Sequence, residues 1–513
     1  MTVYQGSILT CDAEDTTCNY LVEEEGKIKF TGNDLPEIYS GHNRVVLGKK
    51  ALIPSFGDSH LHFSSFALFS ATLDVREAKN FSQLSDRVKA YVEKTRAKVI
   101  LGFGISAHSV EEGRLITKAE LDKIEKRPLM LVKYDGHASV INTAMQNLLP
   151  KKISTLRGYN ADTGQLFQEA FFAATDHITG KISVISLIKN MISGVDTLAS
   201  KGISLVHPAE GVGFLWDLDV DVVRFLARGL LDPVQFRIFF QTLDIKKVEK
   251  RKLPRIGGCF ATALDGCFGS CDAALNQPYT HDPANLGILF YDDNEINTFV
   301  QTAHDKGLQV QLHAIGDAAV AAFARAQKNN FRKNHRHSII HACLMSRSTV
   351  AGCAEHGIGI AAQPAFIHWD LEPYEYIKKI LGDRVDEISP LKTMLDMGVR
   401  VSGGSDAPCT QPDPAFGIYC ACNHYREDQA ITVAQALKMY TSEIAWAGFD
   451  ENQRGSLEPG KIADMVILDQ NPFEMDKKEL FRLKTKELIL KGRPYKGGQG
   501  LASLLWKAIL PKK

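Results

Sequence analysis

The stretch PSFGDSHLHFSS, residues 54–65, places two histidines, His60 and His62, one residue apart after a Gly-Asp pair. Residues i and i+2 of a strand face the same side of a sheet, so a strand here would project both imidazoles together. An isolated His-X-His pair is usually incidental. Its meaning therefore depends on whether polar partners follow at positions that a fold would bring to the same place.

Seven further apolar runs follow this stretch, and from the second run onward they alternate with predicted helices. Residues 293–307, for example, carry Ile296, Phe299, Val300 and Ala303 at helical spacing. Repeated strand–helix units predict an α/β fold with a parallel sheet, and eight strands predict a closed (β/α)8 TIM barrel. The eight runs are GDSHLH (57–62), GISLVHPAE (202–210), QFRIFFQTL (235–243), CFATALDG (259–266), LQVQLHAIGD (308–317), HSIIHAC (337–343), GIGIAAQP (357–364) and VRVSGGSD (399–406).

Two regions lie outside this alternation. Between the first and second runs, roughly 130 residues (64–195) are too many for one crossover, and they predict a large insertion over the barrel mouth. Short strand-like segments occupy both ends of the chain, so residues 1–54 with 455–513 are predicted to form a small β-sandwich beside a barrel of residues 55–454. The last 14 residues, GLASLLWKAILPKK (500–513), predict an amphipathic helix.

Composition narrows the class of protein. Lys plus Arg and Asp plus Glu number 60 each, so the basic excess typical of nucleic-acid binding is missing. The apolar runs are too short for a membrane span, and the first residues lack a secretory signal. Ten cysteines in 513 residues are too few for a disulfide scaffold. We expect a cytoplasmic protein with reduced thiols and a small-molecule partner, with no nucleic acid or membrane; homo-oligomerisation stays open.

Polar side chains recur where the predicted strands end. His313 ends LQVQLH, His341 ends HSIIH and Asp406 ends VRVSGGSD. In a (β/α)8 barrel these ends meet at one mouth, together with His60 and His62. Neutral imidazoles suit zinc and other first-row divalent ions, and an aspartate adds charge and can act as a base. The five side chains therefore predict a metal site.

This ordered set resembles the amidohydrolase superfamily, and more narrowly its branch of metal-dependent amidases similar to N-substituted formamide deformylase. The resemblance implies a (β/α)8 barrel, a β-sandwich from both termini, and hydrolysis at a metal held by His60, His62, His313, His341 and Asp406. It runs through most of the chain, in the motifs IPSFGDSHLH, DGHASVINTAM, ALDGCFGSCDAAL, LHAIGDAAVAAF, RHSIIHACL, AAQPAF, GGSDAP, ALKMYTSEIAWAGF and GSLEPGKIADMVILDQNPF.

The chain also departs from that pattern. Many superfamily members carry a carboxylated lysine on the fourth strand that bridges two metals, but GGCFATALDG (257–266) contains no lysine and has Ala261 near the expected place. One divalent ion, expected to be zinc, is therefore the simpler expectation, unless Cys259 or another donor replaces the lysine. Cys271 and Ile340 stand where the branch tends to have arginine and glutamate, so a different substrate is expected.

The expected reaction is hydrolysis of a non-peptide C–N bond, in an amide or cyclic amide. A bound metal lowers the pKa of water from about 15.7 to roughly 7–9. Asp406 is the expected base and later proton donor to the leaving nitrogen, while His313 or His341 would polarise the substrate carbonyl.

His137, Asp265 and Trp369 are predicted to contact the substrate. His137 lies in the family-like motif DGHAS, Asp265 follows the predicted fourth strand, and Trp369 belongs to a set of aromatic residues near the mouth. Two other functions stay open. A mononuclear-metal deaminase of an amino-heterocycle would release ammonia, and a catalytically inactive relative that only binds a ligand would contain no metal.

Overall fold

Strands from both ends of the chain form one seven-stranded sheet in the computed structural model, which describes residues 1–229, 234–332, 334–498 and 506. Strand β4 pairs in parallel with β1 and antiparallel with β19, and this second pairing joins the two ends of the chain. The sheet order is β3-β2-β1-β4-β19-β20-β21. The strands are β1 Thr2–Leu9, β2 Thr17–Glu24, β3 Lys27–Gly32, β4 Asn43–Pro54, β19 Met465–Leu468, β20 Thr485–Leu490 and β21 Arg493–Pro494.

This sheet contains the terminal strands that the sequence predicts. The β-sandwich and the domain boundaries stay predictions. The amphipathic helix predicted for residues 500–513 lies outside the described residues, apart from Trp506.

Eight parallel strands form a nearly closed barrel in the middle of the chain. Its first strand is β5, and β12 with β13 make up the third strand in two short pieces. Two backbone hydrogen bonds connect the end of the last strand to the first, from Asp406 N–H to His60 O and from His62 N–H to Ala407 O, both 2.8 Å. The strands are β5 Phe56–Leu61, β11 Ile203–Glu210, β12 Gln235–Phe236, β13 Phe239–Phe240, β14 Arg255–Gly258, β15 Gln309–Ala314, β16 Ser338–His341, β17 Gly359–Ala362 and β18 Val401–Gly403.

Seven of the eight predicted runs overlap an observed barrel strand, and the fourth prediction is wrong. The fourth strand is β14, directly before CFATALDG, which instead forms a short 3-10 helix and a loop. Gly257 and Gly258 end β14 with φ angles of 112° and 139°. A side chain on Gly257 would meet the backbone oxygen of Gln311 at 2.0 Å, so the neighbouring strand requires glycine there. The two glycines gave β14 no apolar pattern that would predict a strand. The buried residues of the loop after it formed an apolar run that resembled one.

Helices cover the outside of the barrel and pack on the insertion. The predicted helix at 293–307 is α9; Asp292 caps its N-terminus by accepting hydrogen bonds from Asn294 N–H and Glu295 N–H. The helices are α1 Phe63–Phe69, α2 Phe81–Lys94, α3 Lys118–Ile124, α4 Thr143–Leu148, α5 Gln168–Thr179, α6 Val184–Ser200, α7 Leu218–Gly229, α8 Ile245–Lys250, α9 Asp293–Asp305, α10 Asp317–Asn329, α11 Arg347–Glu355, α12 Tyr374–Leu381, α13 Leu391–Asp396, α14 Pro414–Cys422, α15 Val433–Met439 and α16 Ser442–Ala447.

Short 3-10 helices lie between these elements. They span Glu37–Tyr39, Lys151–Thr155, Leu215–Asp217, Phe260–Thr262, Phe268–Ser270, Pro364–His368, Gly382–Glu387, Glu427–Gln429 and Lys477–Arg482.

The segment between β5 and β11 contains a five-stranded sheet of its own. Its order is β10-β9-β8-β7-β6, with β6 to β8 parallel and β8 to β10 antiparallel. Side chains from this segment contact the loops after the barrel strands: Lys133 Nζ donates to Ser270 Oγ at 3.0 Å, and the Phe172 and Phe260 rings lie 5.8 Å apart. The strands are β6 Leu73–Asp74, β7 Ile100–Ile105, β8 Leu129–Lys133, β9 Ala138–Ile141 and β10 Gln165–Phe167.

Among the described helices, no single one has the length and apolar character needed to cross a membrane. Helices α5 and α6 reach that threshold only as a pair, and they meet at 102°.

Candidate metal centre

Three of the predicted side chains meet where the first and last barrel strands close. His60 lies near the end of β5, His62 directly follows that strand, and Asp406 follows β18. Asp406 Oδ1 is 3.1 Å from His60 Nε2 and 3.2 Å from His62 Nε2. Although burial alone would raise the pKa of Asp406, the two imidazoles beside it hold that pKa well below the ordinary value. Asp406 is therefore an ionised, buried carboxylate.

Cys259 connects this group to the other two histidines. Its Sγ lies 3.3 Å from His60 Nε2 and 3.7 Å from His341 Nε2. The donor atoms of His60, His62, Cys259 and Asp406 all lie within 4.8 Å of one another, and so do those of Cys259, His313 and His341. One thiol thus belongs to two groups of potential metal ligands.

Cys259 stands directly after β14, in the region where the resemblance led us to expect a bridging lysine. The sequence raised this cysteine as one replacement, and the geometry brings its sulfur to a position between the two histidine groups. Burial raises the pKa of the Cys259 thiol well above its ordinary value. A cation bound beside it would reverse that effect, because metals bind thiolates.

Hydrogen bonds away from the centre orient the imidazoles. His62 Nδ1 faces the Ala209 carbonyl at 3.3 Å, and His341 Nδ1 faces Gln363 Oε1 at 2.6 Å. Protons on these Nδ1 atoms leave the Nε2 lone pairs directed at the centre. His313 is reversed: its Nε2 faces the Gly266 carbonyl at 3.1 Å, while its buried Nδ1 has no partner among the described residues.

Burial keeps these imidazoles neutral. It lowers the pKa of His60, lowers that of His341 to about 4, and lowers that of His313 well below its ordinary value. Neutral imidazole is the form that binds a metal, so the donor set fits a divalent cation without a prior loss of protons from these three rings.

Strained backbone accompanies the centre. His341, Asp406 and Phe260 have φ angles of 72°, 55° and 52°, in the left-handed region that non-glycine residues rarely adopt. Each such residue costs about 1–3 kcal/mol, and such strain persists where surrounding structure enforces it. Here the strain turns two donor side chains at the ends of β16 and β18 inward.

Asp58, which the sequence analysis did not single out, holds the first and last strands in place. Its carboxylate accepts hydrogen bonds from Ser405 N–H at 3.0 Å and from Ser405 Oγ at 2.5 Å. Its place two residues before His60, in the Gly-Asp pair, was the available signal.

The structure places Asp265 behind His313. Asp265 is fully buried, lies 3.5 Å from His313 Nε2, and accepts backbone hydrogen bonds from Ala274, Ile315 and Gly316. It lines neither cavity described below. This geometry favours a role for Asp265 in orienting His313, and it does not support the predicted contact with the substrate. Asp265 lies away from the cavities because β14 ends seven residues before it.

Two small cavities adjoin the donors. The metal cavity, about 50 Å³, is lined by His62, Cys259, His313, His341 and Asp406, and also by His137, Trp369, Cys267, Cys343 and Glu372. The aromatic cavity, about 60 Å³, is lined by the phenylalanines at 69, 103, 171, 172 and 260 and by Glu210 and Gln241. Both include His62, Asp135, Phe260 and Cys409, so the two cavities are adjacent.

Two of the three predicted substrate contacts therefore lie on the cavity surface. The His137 ring packs on Phe260 at 4.9 Å, and Trp369 stacks on Phe366 at 4.4 Å. Glu210, Gln241 and Glu372 also line the cavities and were not singled out. A signal was available for two of them, because Glu210 ends the predicted run 202–210 and Gln241 lies near the end of the predicted run 235–243.

A third histidine group, at the opposite end of the barrel, is poorly suited to a metal. His304, His335 and His337 place ring nitrogens within 4.8 Å of one another. His337 Nδ1, however, accepts a hydrogen bond from Val310 N–H at 2.8 Å. A neutral imidazole has one lone pair, so His337 Nε2 carries the proton and donates it toward His304 Nε2. Hydrogen bonding alone therefore explains why the rings of His304 and His337 lie together.

Comparison with known proteins agrees with this geometry. A sequence model of the amidohydrolase family matches residues 47–175 and 255–495. The N-substituted formamide deformylase of Arthrobacter pascens is 23% identical over 96% of this chain and 97% of its own length. A crystal structure of an uncharacterized metal-dependent hydrolase from Pyrococcus furiosus has a TM-score of 0.74 at 26% identity, covering 92% of this chain and 100% of that one.

A second crystal structure, of an uncharacterized metal-dependent hydrolase from Pyrococcus horikoshii OT3, shares the fold with a TM-score of 0.77 at 24% identity, covering 93% of this chain and 99% of that one. The resemblance predicted from the ordered histidines is confirmed, because the family match extends over well more than half of the sequence: this chain belongs to the amidohydrolase family.

Proposed function

We propose that the protein is a metal-dependent hydrolase that cleaves an amide or cyclic amide C–N bond of a small molecule. The observation that carries this proposal is the convergence of four imidazoles, Asp406 and Cys259 beside a small cavity. The cavities are small and largely apolar, which suits a small molecule with hydrophobic parts. All ten cysteines are free, which is compatible with the reducing compartment expected from the sequence.

The donor set favours two divalent ions over the single ion that the missing lysine suggested. Cys259 is common to both donor groups, and a thiolate can be shared between two cations. A set of imidazoles with a thiolate suits zinc better than the harder Mg²⁺ or Ca²⁺. We therefore propose zinc held by His60, His62, Cys259 and Asp406 at one position and by Cys259, His313 and His341 at the other.

The chain's own groups supply proton transfer and orientation. When bound, the metal activates water and polarises the substrate carbonyl. Asp406, ionised and buried beside the donors, accepts the proton of the attacking water and returns it to the leaving nitrogen. His137 and Trp369 form part of the wall that positions the substrate and excludes bulk water.

The first test combines elemental analysis with a panel of small amides and cyclic amides. We expect about two zinc ions per chain and products that are a carboxylate and an amine. Release of ammonia from an amino-heterocycle would instead support the deaminase. Protein that contains no metal after purification and acquires none on incubation with zinc would support a ligand-binding relative.

Asp406→Asn tests the role of the base. We expect turnover to fall by about 10²–10⁴-fold, the usual contribution of a positioned acid–base group, while the fold is retained. Far-UV circular dichroism and zinc content check the fold and the metal site. Near-normal turnover in a metal-loaded variant would contradict the assignment.

A further inference from the structure

A buried polar wall closes the aromatic cavity on the side away from Trp369. Glu210 ends β11 and Gln241 directly follows β13, so both lie at the barrel mouth and line this cavity. Asp219, in the first turn of α7, interacts with Glu210 and does not itself line the cavity. These three side chains belong to residues only 2%, 3% and 1% exposed, respectively. None of them takes part in the metal centre described above.

Gln241, which lines the cavity, has an unused acceptor. Its Nε2 donates to the Ala209 carbonyl at 2.9 Å. Because a carbonyl can only accept, the amide must keep its NH2 group on that side. Gln241 Oε1 is then buried without a hydrogen-bond partner among the described residues. An unpaired buried carbonyl costs about 1–3 kcal/mol, which a ligand N–H group would offset.

Glu210 and Asp219 form a carboxyl pair; the nearest charge of opposite sign among the described residues that acts on Asp219 is Arg251, which is itself paired with Asp217 and Asp221. Glu210 Oε1 accepts from Ser64 N–H at 3.1 Å, and Asp219 Oδ2 accepts from Gly211 N–H. Burial, followed by the charge of Asp219, raises the pKa of Glu210 well above its ordinary value; burial raises the pKa of Asp219 to about 7. The pair therefore retains a shared proton near neutral pH, as close buried carboxyls do.

The rest of the lining selects against anions. Among the described residues, no lysine or arginine lines either cavity. The nearby Lys133 is held by Asp135 at 2.7 Å. Phenylalanine rings surround the remaining space, and their faces attract cations as well as apolar groups. The acceptors of the wall suit a positively charged group with N–H donors. The phenylalanine rings around the cavity suit an apolar substituent attached to that group.

We propose that Glu210, Asp219 and Gln241 form a substrate subsite for a protonated nitrogen group, an ammonium or amidinium, attached to an apolar substituent. This subsite deepens the proposed function, because it would hold part of the molecule cleaved at the metal centre. On binding, the N–H groups donate to Gln241 Oε1 and to Glu210, the member of the carboxyl pair that lines the cavity. The proton shared by Glu210 and Asp219 is released to solvent, so the charge of the bound cation replaces the charge of that proton.

Benzamidine tests the subsite directly. It is a planar aromatic cation whose amidinium nitrogens have no free lone pair, so it binds acceptors and not zinc. Calorimetric titration of the zinc-loaded protein should show binding that strengthens from pH 6 to pH 8, because less free energy is needed to remove the shared proton at higher pH. Acetophenone, of similar shape but without charge or N–H groups, should bind at least about tenfold more weakly.

Two variants and one matched control locate the binding. Glu210→Gln and Gln241→Met should each weaken benzamidine binding about tenfold or more. Glu372→Gln removes a partly buried carboxyl that lines the metal cavity but not the aromatic cavity, and it should leave benzamidine affinity unchanged. Zinc content and circular dichroism verify each variant. If Glu210→Gln does not fold, the affinity of Gln241→Met for benzamidine decides whether the wall is the binding site, because this variant leaves the carboxyl pair intact.

Several results would overturn the inference: no benzamidine binding by the wild type, affinity independent of pH, unchanged affinity in both wall variants, or an equal loss in Glu372→Gln. These outcomes are separate from the proposed function, because binding is measured without turnover. A protein that binds benzamidine yet cleaves no amide overturns the hydrolase proposal alone. A protein that cleaves amides but prefers acetophenone overturns the subsite alone.

Discussion

At the scale of single residues, Cys259 is the donor common to both groups of potential metal ligands. Removing its thiol in Cys259→Ala takes a ligand from both donor groups at once. We expect zinc per chain to fall from about two to one or less, and turnover to fall about 100-fold or more, since several kcal/mol of transition-state stabilisation depend on the metals. Elemental analysis and amide turnover measure both effects.

A matched control separates the role of this thiol from the loss of buried volume. Cys353 is also fully buried but lies in α11, away from the centre. Cys353→Ala should keep the zinc content of the wild type. In cobalt-substituted protein, the thiolate-to-metal absorption should persist in Cys353→Ala and disappear in Cys259→Ala. Unchanged absorption and zinc content in Cys259→Ala would exclude this cysteine as a ligand.

Glu372 gives a pH-dependent prediction at the same scale. Burial raises the pKa of this carboxyl, which accepts a hydrogen bond from Tyr134 Oη at 2.7 Å, to about 7. A group with a raised pKa in the folded state contributes stability below its unfolded pKa and loses it as the pH rises through the folded value. Glu372→Gln does not titrate, so its melting temperature relative to wild type should rise between pH 5 and pH 8. A constant difference would show that Glu372 is ionised throughout.

At the scale of elements, barrel closure depends on Gly404, after β18. A Cβ atom there would lie 2.8 Å from the backbone nitrogen of His60 and 3.1 Å from its oxygen. Gly404→Ala would push the last strand away from the first and separate Asp406 from its histidines. We expect a loss of about 1–3 kcal/mol in unfolding free energy, typical of overpacking, together with weaker zinc binding.

The same substitution should have the opposite effect inside α11. A Cβ on Gly352 meets nothing within 4 Å. Gly352→Ala should therefore stabilise the protein by about 0.5–1 kcal/mol, because alanine loses less backbone entropy in a helix. Chemical denaturation of both variants measures the difference. Equal changes in the two would show that closure tolerates a side chain at Gly404.

At the scale of the whole molecule, metal binding should stabilise the fold. The donors come from the ends of five barrel strands, which are distant in sequence, so a metal binds the folded chain far better than the unfolded one. Removing metal with a chelator should lower the melting temperature by several degrees, and adding zinc should restore it. Calorimetry measures both steps. A melting temperature that does not respond to metal would contradict a tight site in the folded state.

The sequence predicted much of this molecule because its signals are local. Strand ends carrying His60, His313, His341 and Asp406 are visible as polar residues after apolar runs. The fourth strand was misplaced because Gly257 and Gly258 carry no side chains whose pattern could reveal it. Asp265 was consequently assigned to a strand end, when it lies in a loop that supports His313.

The sequence by itself determined the repeated strand–helix pattern, the order of the polar strand ends and the family resemblance, since each depends on residue type and spacing along the chain. Only the tertiary structure decided that Cys259 lies between two donor groups, and that Glu210, Asp219 and Gln241 form one buried wall. These arrangements depend on distances of a few ångströms between segments far apart in the chain. The closure and twist of the barrel determine these distances, and the spacing of residues along the chain does not reveal them.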